Sequence, residues 1–184
     1  MANEFDPFKK KIEDALNKFA SADNMQKIGD LAAGIIKKRT RLGFGVETTG
    51  ADRNKLKPLS EKYIEFRKNL KGIQRAKKAV RAGGKVSLKT KQRASKNPKI
   101  ELSSDTSASK SNLTLTGQML DSLKATSTQG SVTIEASGNR KDGLSNKEIS
   151  GYVEEQGRKF LDLAKADLKQ IKNYLESLVD KLLK

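Results

Sequence analysis

Apolar side chains recur at three- and four-residue steps through the first third of the chain. Phe8, Ile12, Ala15, Leu16 and Phe19 fall on one helix face. Asp6 ahead of them can cap free N–H groups, and Pro7 suits the first helical position, where its missing donor costs nothing. A second amphipathic helix follows, with Met25, Ile28, Leu31, Ala32, Ile35 and Ile36 on its apolar face. Asp23 is its expected start, with Gln26 three residues on as capping partner. Lys37, Lys38, Arg39 and Arg41 sit at its end, where cations complement the helix dipole. Gly43 and Gly45 break the pattern, and a polar loop runs through Gly50 to Lys57. Pro58 leads to Ser60, the expected N-cap of a third helix carrying Tyr63, Ile64, Phe66 and Leu70. That helix turns basic and stops at Gly83-Gly84.

From Lys85 to Ser111 little can form a core. Val86 and Leu88 alternate with polar residues, as do Ile100 and Leu102, which fits two short strands of a protruding hairpin. The serine and lysine content fits a disordered loop equally well. Structure returns at Leu113, where Leu115, Met119, Leu120 and Leu123 make a short amphipathic helix. Ala125 to Thr128 reads as a strand, Gln129-Gly130 as a turn, and Val132 to Ala136 as the partner strand. Gly138 to Gly143 is a polar loop, and Ser145 to Glu155 is a short helix or a third strand. At the C-terminal end Leu161, Ala164, Leu168, Ile171, Leu175, Leu178 and Leu182 form a continuous stripe over about six helical turns. Such a stripe must lie against the sheet or a partner, as a core helix or a coiled-coil contact.

The composition narrows the functional classes. A chain of 184 residues is one domain, or one domain plus extensions, and with 35% hydrophobic residues its core is modest. Neither cysteine nor histidine is present. Disulfides, thiol nucleophiles, serine–histidine triads and histidine or cysteine zinc sites are therefore excluded for this chain. Carboxylate and lysine chemistry survive in principle. Glu154 and Glu155 are adjacent and point to different sides, and Asp162 and Asp167 read as the polar face of the last helix, so solvated surface charge is expected. Gly43-Phe44-Gly45 and Gly83-Gly84 lack the context of a phosphate-binding loop. No apolar run approaches the roughly 20 residues of a membrane span, and the N-terminus does not read as a signal peptide, so a soluble protein is expected.

The net charge of +16 is unevenly placed. Thirteen of those charges lie between residues 66 and 100, a stretch without one acidic residue. They are Arg67, Lys68, Lys71, Arg75, Lys77, Lys78, Arg81, Lys85, Lys89, Lys91, Arg93, Lys96 and Lys99. Their chemistry suits the phosphate backbone of nucleic acid, read without regard to sequence, or an acidic protein neighbour. A bland solvated arm is the third reading.

Three stretches, in order, resemble the bacteriophage tail-completion group, also described as virion-morphogenesis or minor tail Z-like neck proteins. The first is Ile35-Ile36-Lys37-Lys38-Arg39-Thr40, a glycine loop, then Leu56-Lys57-Pro58-Leu59-Ser60 with Tyr63. The second is Leu113 to Leu123, in which Leu115, Thr116, Gly117, Met119, Leu120, Ser122 and Leu123 carry the pattern. The third is Tyr152 with Gln156-Gly157, then Arg158-Lys159-Phe160-Leu161. In the family this last region resembles a strand, with a linker between glycine and arginine that this chain lacks.

The resemblance implies an α+β domain, a small antiparallel sheet packed with helices, over residues 1–184; the basic segment 72–110 departs from the family's pattern as a protruding or flexible insertion. It implies a structural, non-enzymatic virion protein without cofactors. Such a subunit forms a ring, usually hexameric, that caps the tail tube and joins it to the head. Its partners are copies of itself, head-closure or portal/adaptor proteins and tail proteins, with backbone contact to genomic DNA open. It resides at the head–tail junction, and in host cytoplasm during assembly. The alternative is a sequence-independent nucleic-acid-binding protein acting through residues 66–100.

Overall fold

The computed structural model describes residues 6–46, 55–83, 85–96, 102–103, 106, 117–140 and 143–183. The fold is α+β, with helices around a small two-stranded antiparallel sheet. In chain order the elements are α1 (Asp6–Phe19), α2 (Ala22–Arg41), α3 (Glu61–Arg81), α4 (Leu88–Ala94) and α5 (Gln118–Asp121). Then come β1 (Leu123–Thr128), β2 (Ser131–Ala136), α6 (Asn146–Glu155) and α7 (Lys165–Leu183). No helix among the described residues is long and apolar enough to cross a membrane.

α2 is the spine. It begins one residue earlier than expected, because the N-cap is Ser21, whose hydroxyl accepts the Asn24 N–H. Gln26 is freed from capping and donates from Nε2 to the Ala125 carbonyl at 3.1 Å and to Asp30 Oδ1 at 2.9 Å. The buried stripe of α2 is Met25, Gly29, Ala32, Ala33, Ile36 and Thr40. Its small members let the helix settle on the hairpin. A Cβ on Gly29 would stand 2.6 Å from both Ala125 Cβ and Val132 Cγ1, which no real packing tolerates.

The hairpin pairs Leu123 with Ala136 and closes at Thr128 and Ser131 around Gln129-Gly130. Gly130 sits at φ +74°, a region side chains with a Cβ avoid. Its N–H donates to Ala20 O, and Ser127 Oγ donates to Ala22 O, so the tip is tied to the α1–α2 junction. Behind the hairpin lies the core: Ile36, Leu56, Met119, Leu120, Leu123, Ala136 and Phe160, with Ile134, Ile149, Val153, Leu161 and Leu163 around it. Burying each large member contributes about 1.5–3 kcal/mol.

Several expectations are settled or corrected. Of the two readings open for this stretch before α7, the structure forms the helix, Asn146–Glu155, because Ser145 and Glu148 make a reciprocal capping box. The Glu148 N–H donates to Ser145 Oγ at 3.0 Å, and the Ser145 N–H to Glu148 Oε2 at 3.2 Å. Ser145 Oγ also donates to Glu148 Oε2 at 2.8 Å, and the two bonds that reach the carboxylate, the hydroxyl's first and the backbone N–H's second, hold it below its usual range. α7 packs on α1 and α2 and not on the sheet. Leu161 and Ala164 precede it, Ile171 is buried, and Leu168 is half exposed at 51%.

Asp167 is not on a polar face. It is buried, pairs with Arg39, and accepts the Ala164 N–H at 2.9 Å through Oδ2. Arg39 also donates through Nη2 to Phe160 O and Asp162 O, both at 2.7 Å. An arginine expected only to complement a helix dipole thus fastens the turn before α7 to α2. Glu154 is likewise no free surface charge. Its Oε1 accepts the N–H groups of Phe160 at 3.4 Å and Leu161 at 3.0 Å, which seats Phe160 in the core.

Candidate functional site

The three stretches that carry the family resemblance lie far apart in sequence and meet around one cleft of about 680 Å³. Pro58, Leu59 and Tyr63 come from the first stretch, Met119 from the second, and Gln156 and Arg158 from the third. Ile149 and Val153 of α6 complete the apolar wall. Arg158 joins the first and third stretches directly, donating from Nε to Lys57 O at 3.3 Å and from Nη2 to Pro58 O at 3.1 Å. Val46 N–H donates to Lys159 O at 3.0 Å alongside.

Most motif positions serve to shape this region. Leu115 and Thr116 lie outside the described residues. Gly117 opens α5 at φ +75°, and a Cβ there would approach Asp121 Oδ2 at 3.1 Å and Ser103 Oγ at 3.2 Å. Met119, Leu120 and Leu123 are buried in the core, and Ser122 Oγ donates to Met119 O at 2.8 Å. The Ser122 carbonyl accepts both the N–H and the hydroxyl of Ser137, at 3.1 and 3.0 Å. Gln156 caps α6, and Gly157 leaves it at φ +76°. Phe160 is fully buried, Leu161 packs on the core, and Tyr152 is 69% exposed.

The basic segment is the second feature. Residues 88–94 are helical where a hairpin or loop was expected. Ser87 caps α4, accepting the Thr90 N–H at 3.3 Å, and the straight-chain lysines, glutamine and arginine that follow favour helix once a cap is present. α4 packs on α3. Residues beyond it also reach the interior, since Leu102 and Thr106 are buried and Gln74 Nε2 donates to Leu102 O at 3.2 Å.

Arg67 leaves the group of available cations. It is 1% exposed, with its guanidinium carbon 5.0 Å from the centroid of the Tyr63 ring. Lys68, Arg75, Lys78 and Arg81 are exposed on α3, while Lys71 and Lys77 are half-buried there. Lys85 lies exposed in the connection, Lys89, Lys91 and Arg93 are exposed on α4, and Lys96 follows it. Lys99 lies outside the described residues.

Gly29, the Arg39–Asp167 pair and the Glu154 clamp were not expected as key positions. The one sequence signal for them is the small-residue spacing of Gly29, Ala32 and Ala33, which marks a close approach without saying to what. Among the described residues no group of three or more acidic side chains is placed to hold a metal ion. No family model, no curated protein and no solved structure matches the chain.

Proposed function

We propose that this chain is a structural subunit of a bacteriophage neck, a tail-completion protein that forms a ring, caps the tail tube and joins it to the head. The observation that carries the reading is the meeting of its three family-like stretches around the cleft at Tyr63, Met119 and Arg158. A ring needs a heterologous interface that closes on itself, and a cleft with an apolar wall and cationic edges offers one half of such a joint. The proposed partners are neighbouring copies, six in the family's usual ring, with head-closure or portal proteins above and tail proteins below. The work is placement, and the chemistry of turnover has no part in it.

Electron microscopy of lysates tests this directly, using a phage that carries a stop codon in this gene. DNA-filled heads and separate tails, never joined, are the expected products, and tails of abnormal length would place the subunit at the capping end. Normal joined particles would overturn the neck assignment.

A further inference from the structure

The chain's excess charge is not merely concentrated in sequence; the fold arranges it in two rows. On α3, Lys68, Lys71, Arg75 and Lys78 follow at steps of three, four and three, which is one stripe along a helix. On the α4 side Lys89, Arg93 and Lys96 follow at steps of four and three. The stripes meet along a groove of about 390 Å³, floored by Gly72, Ala76 and Ala79 and edged by Arg75, Lys89 and Arg93. The Arg93 guanidinium lies close over Gly72. A Cβ there would stand 3.2 Å from its Nη1.

The floor of this groove is made of small residues, and like charges along it oppose the packing. A polyanion with regular charge spacing relieves that repulsion. The α3 stripe spans about 15 Å at 1.5 Å per residue. Duplex DNA offers one charge per roughly 1.7 Å of axis, so the stripe faces several successive phosphates. Phe66 is the one aromatic residue between 66 and 100, and its ring stacks on Tyr63 with centroids 6.0 Å apart. The groove therefore carries no platform for unstacked bases, which favours a duplex over a single strand.

We infer that the α3–α4 helical hairpin binds the phosphate backbone of duplex DNA without base preference, with Arg75, Lys89 and Arg93 at its centre. This goes beyond the neck assignment and does not require it, because binding is a property of the isolated chain and joining is a property of the phage.

The test is fluorescence anisotropy of the full chain with two labelled 30-base-pair duplexes of unrelated sequence, across a salt series. Both duplexes bind alike, and affinity falls about a thousandfold between 50 and 200 mM salt if most of the seven stripe cations reach phosphates. Arg75→Gln/Lys89→Gln/Arg93→Gln flattens the log K against log salt slope by about 2.7, at roughly 0.9 per phosphate. The control Lys27→Gln/Lys124→Gln/Lys169→Gln removes equal charge elsewhere and leaves the slope as it was. Far-UV circular dichroism checks the fold, and Lys68→Gln/Lys78→Gln/Lys96→Gln is the second variant should the first lose helix. Failure to bind at 50 mM salt, or equal losses in control and groove variants, overturns the inference. So does polyglutamate that displaces the duplex at matched charge, since the surface would then be a dock for acidic protein.

Discussion

α2 and α3 run 20 and 21 residues, and a serine N-caps each. Both end in a cationic turn. Yet α2 buries Met25, Gly29, Ala32, Ala33, Ile36 and Thr40, whereas α3 buries Arg67, Leu70 and Ala76. The arginines at the end of α2 are drawn into tertiary pairs, Arg39 with Asp167 and Arg41 with Asp121. The last turns of α3 face α4, which carries cations of its own. A basic helix end becomes a structural clamp where the fold brings a carboxylate to it. Where the neighbouring helix is basic too, Arg75, Lys78 and Arg81 stay in solvent.

The sharpest way to break this contrast is to remove the clamp. Arg39→Ala leaves Asp167 buried without its partner and costs about 3–5 kcal/mol, read as a lowered urea midpoint. Arg39→Ala/Asp167→Ala recovers part of that loss, because the stranded charge is gone too. A purely additive double variant would mean that the two side chains act independently.

The packing of α2 gives the next effect. Gly29→Val drives side-chain atoms into Ala125 and Val132 and costs about 1–3 kcal/mol, measured by thermal melting. The same change at Gly34, where a Cβ would meet nothing within 4 Å, serves as the comparison and costs less.

Ser145→Ala removes the α6 cap at a cost of about 1 kcal/mol. Its pH dependence has a definite sign. Glu148 titrates below the ordinary 4.5 in the folded chain because Ser145 bonds its charged form. A carboxylate with a lowered folded value adds stability above the ordinary value and loses it as pH falls through the folded one. The gap between wild type and variant in urea titrations is therefore widest at neutral pH and narrows on acidification, the untitrated N-cap bond from the Glu148 N–H remaining. A constant gap across that range would assign the effect to the Ser145 N-cap bond alone and not to the carboxylate.

The smallest effect belongs to α3. Lys78→Gln, alone or with Lys91→Gln, changes stability by no more than about 0.5 kcal/mol, while weakening duplex binding in the anisotropy assay. A loss comparable to that of Arg39→Ala would erase the distinction between the two helices.

Much of this architecture was legible along the chain. The period of Phe8 to Phe19, of Met25 to Ile36 and of the last leucines marks helices, and the alternation after Gly130 marks a strand, because those periods are local consequences of backbone geometry. Ser60 reads as a cap for the same reason. α4 was missed because seven residues offer too short a period, and its stability comes from the Ser87 cap and from the surface of α3. The cleft was legible only as three scattered motifs.

Which faces are apolar and where the positive charge is concentrated follow from residues within a few positions of one another and can be read along the chain. What those faces and charges meet is set by folding. Arg67 and Lys68 are neighbours and both cationic, yet one lies buried over Tyr63 and the other stands in solvent. Arg39 finds its carboxylate 128 residues away. A charge is fixed by its side chain, but its energy depends on its neighbours and on access to water, and folding sets both.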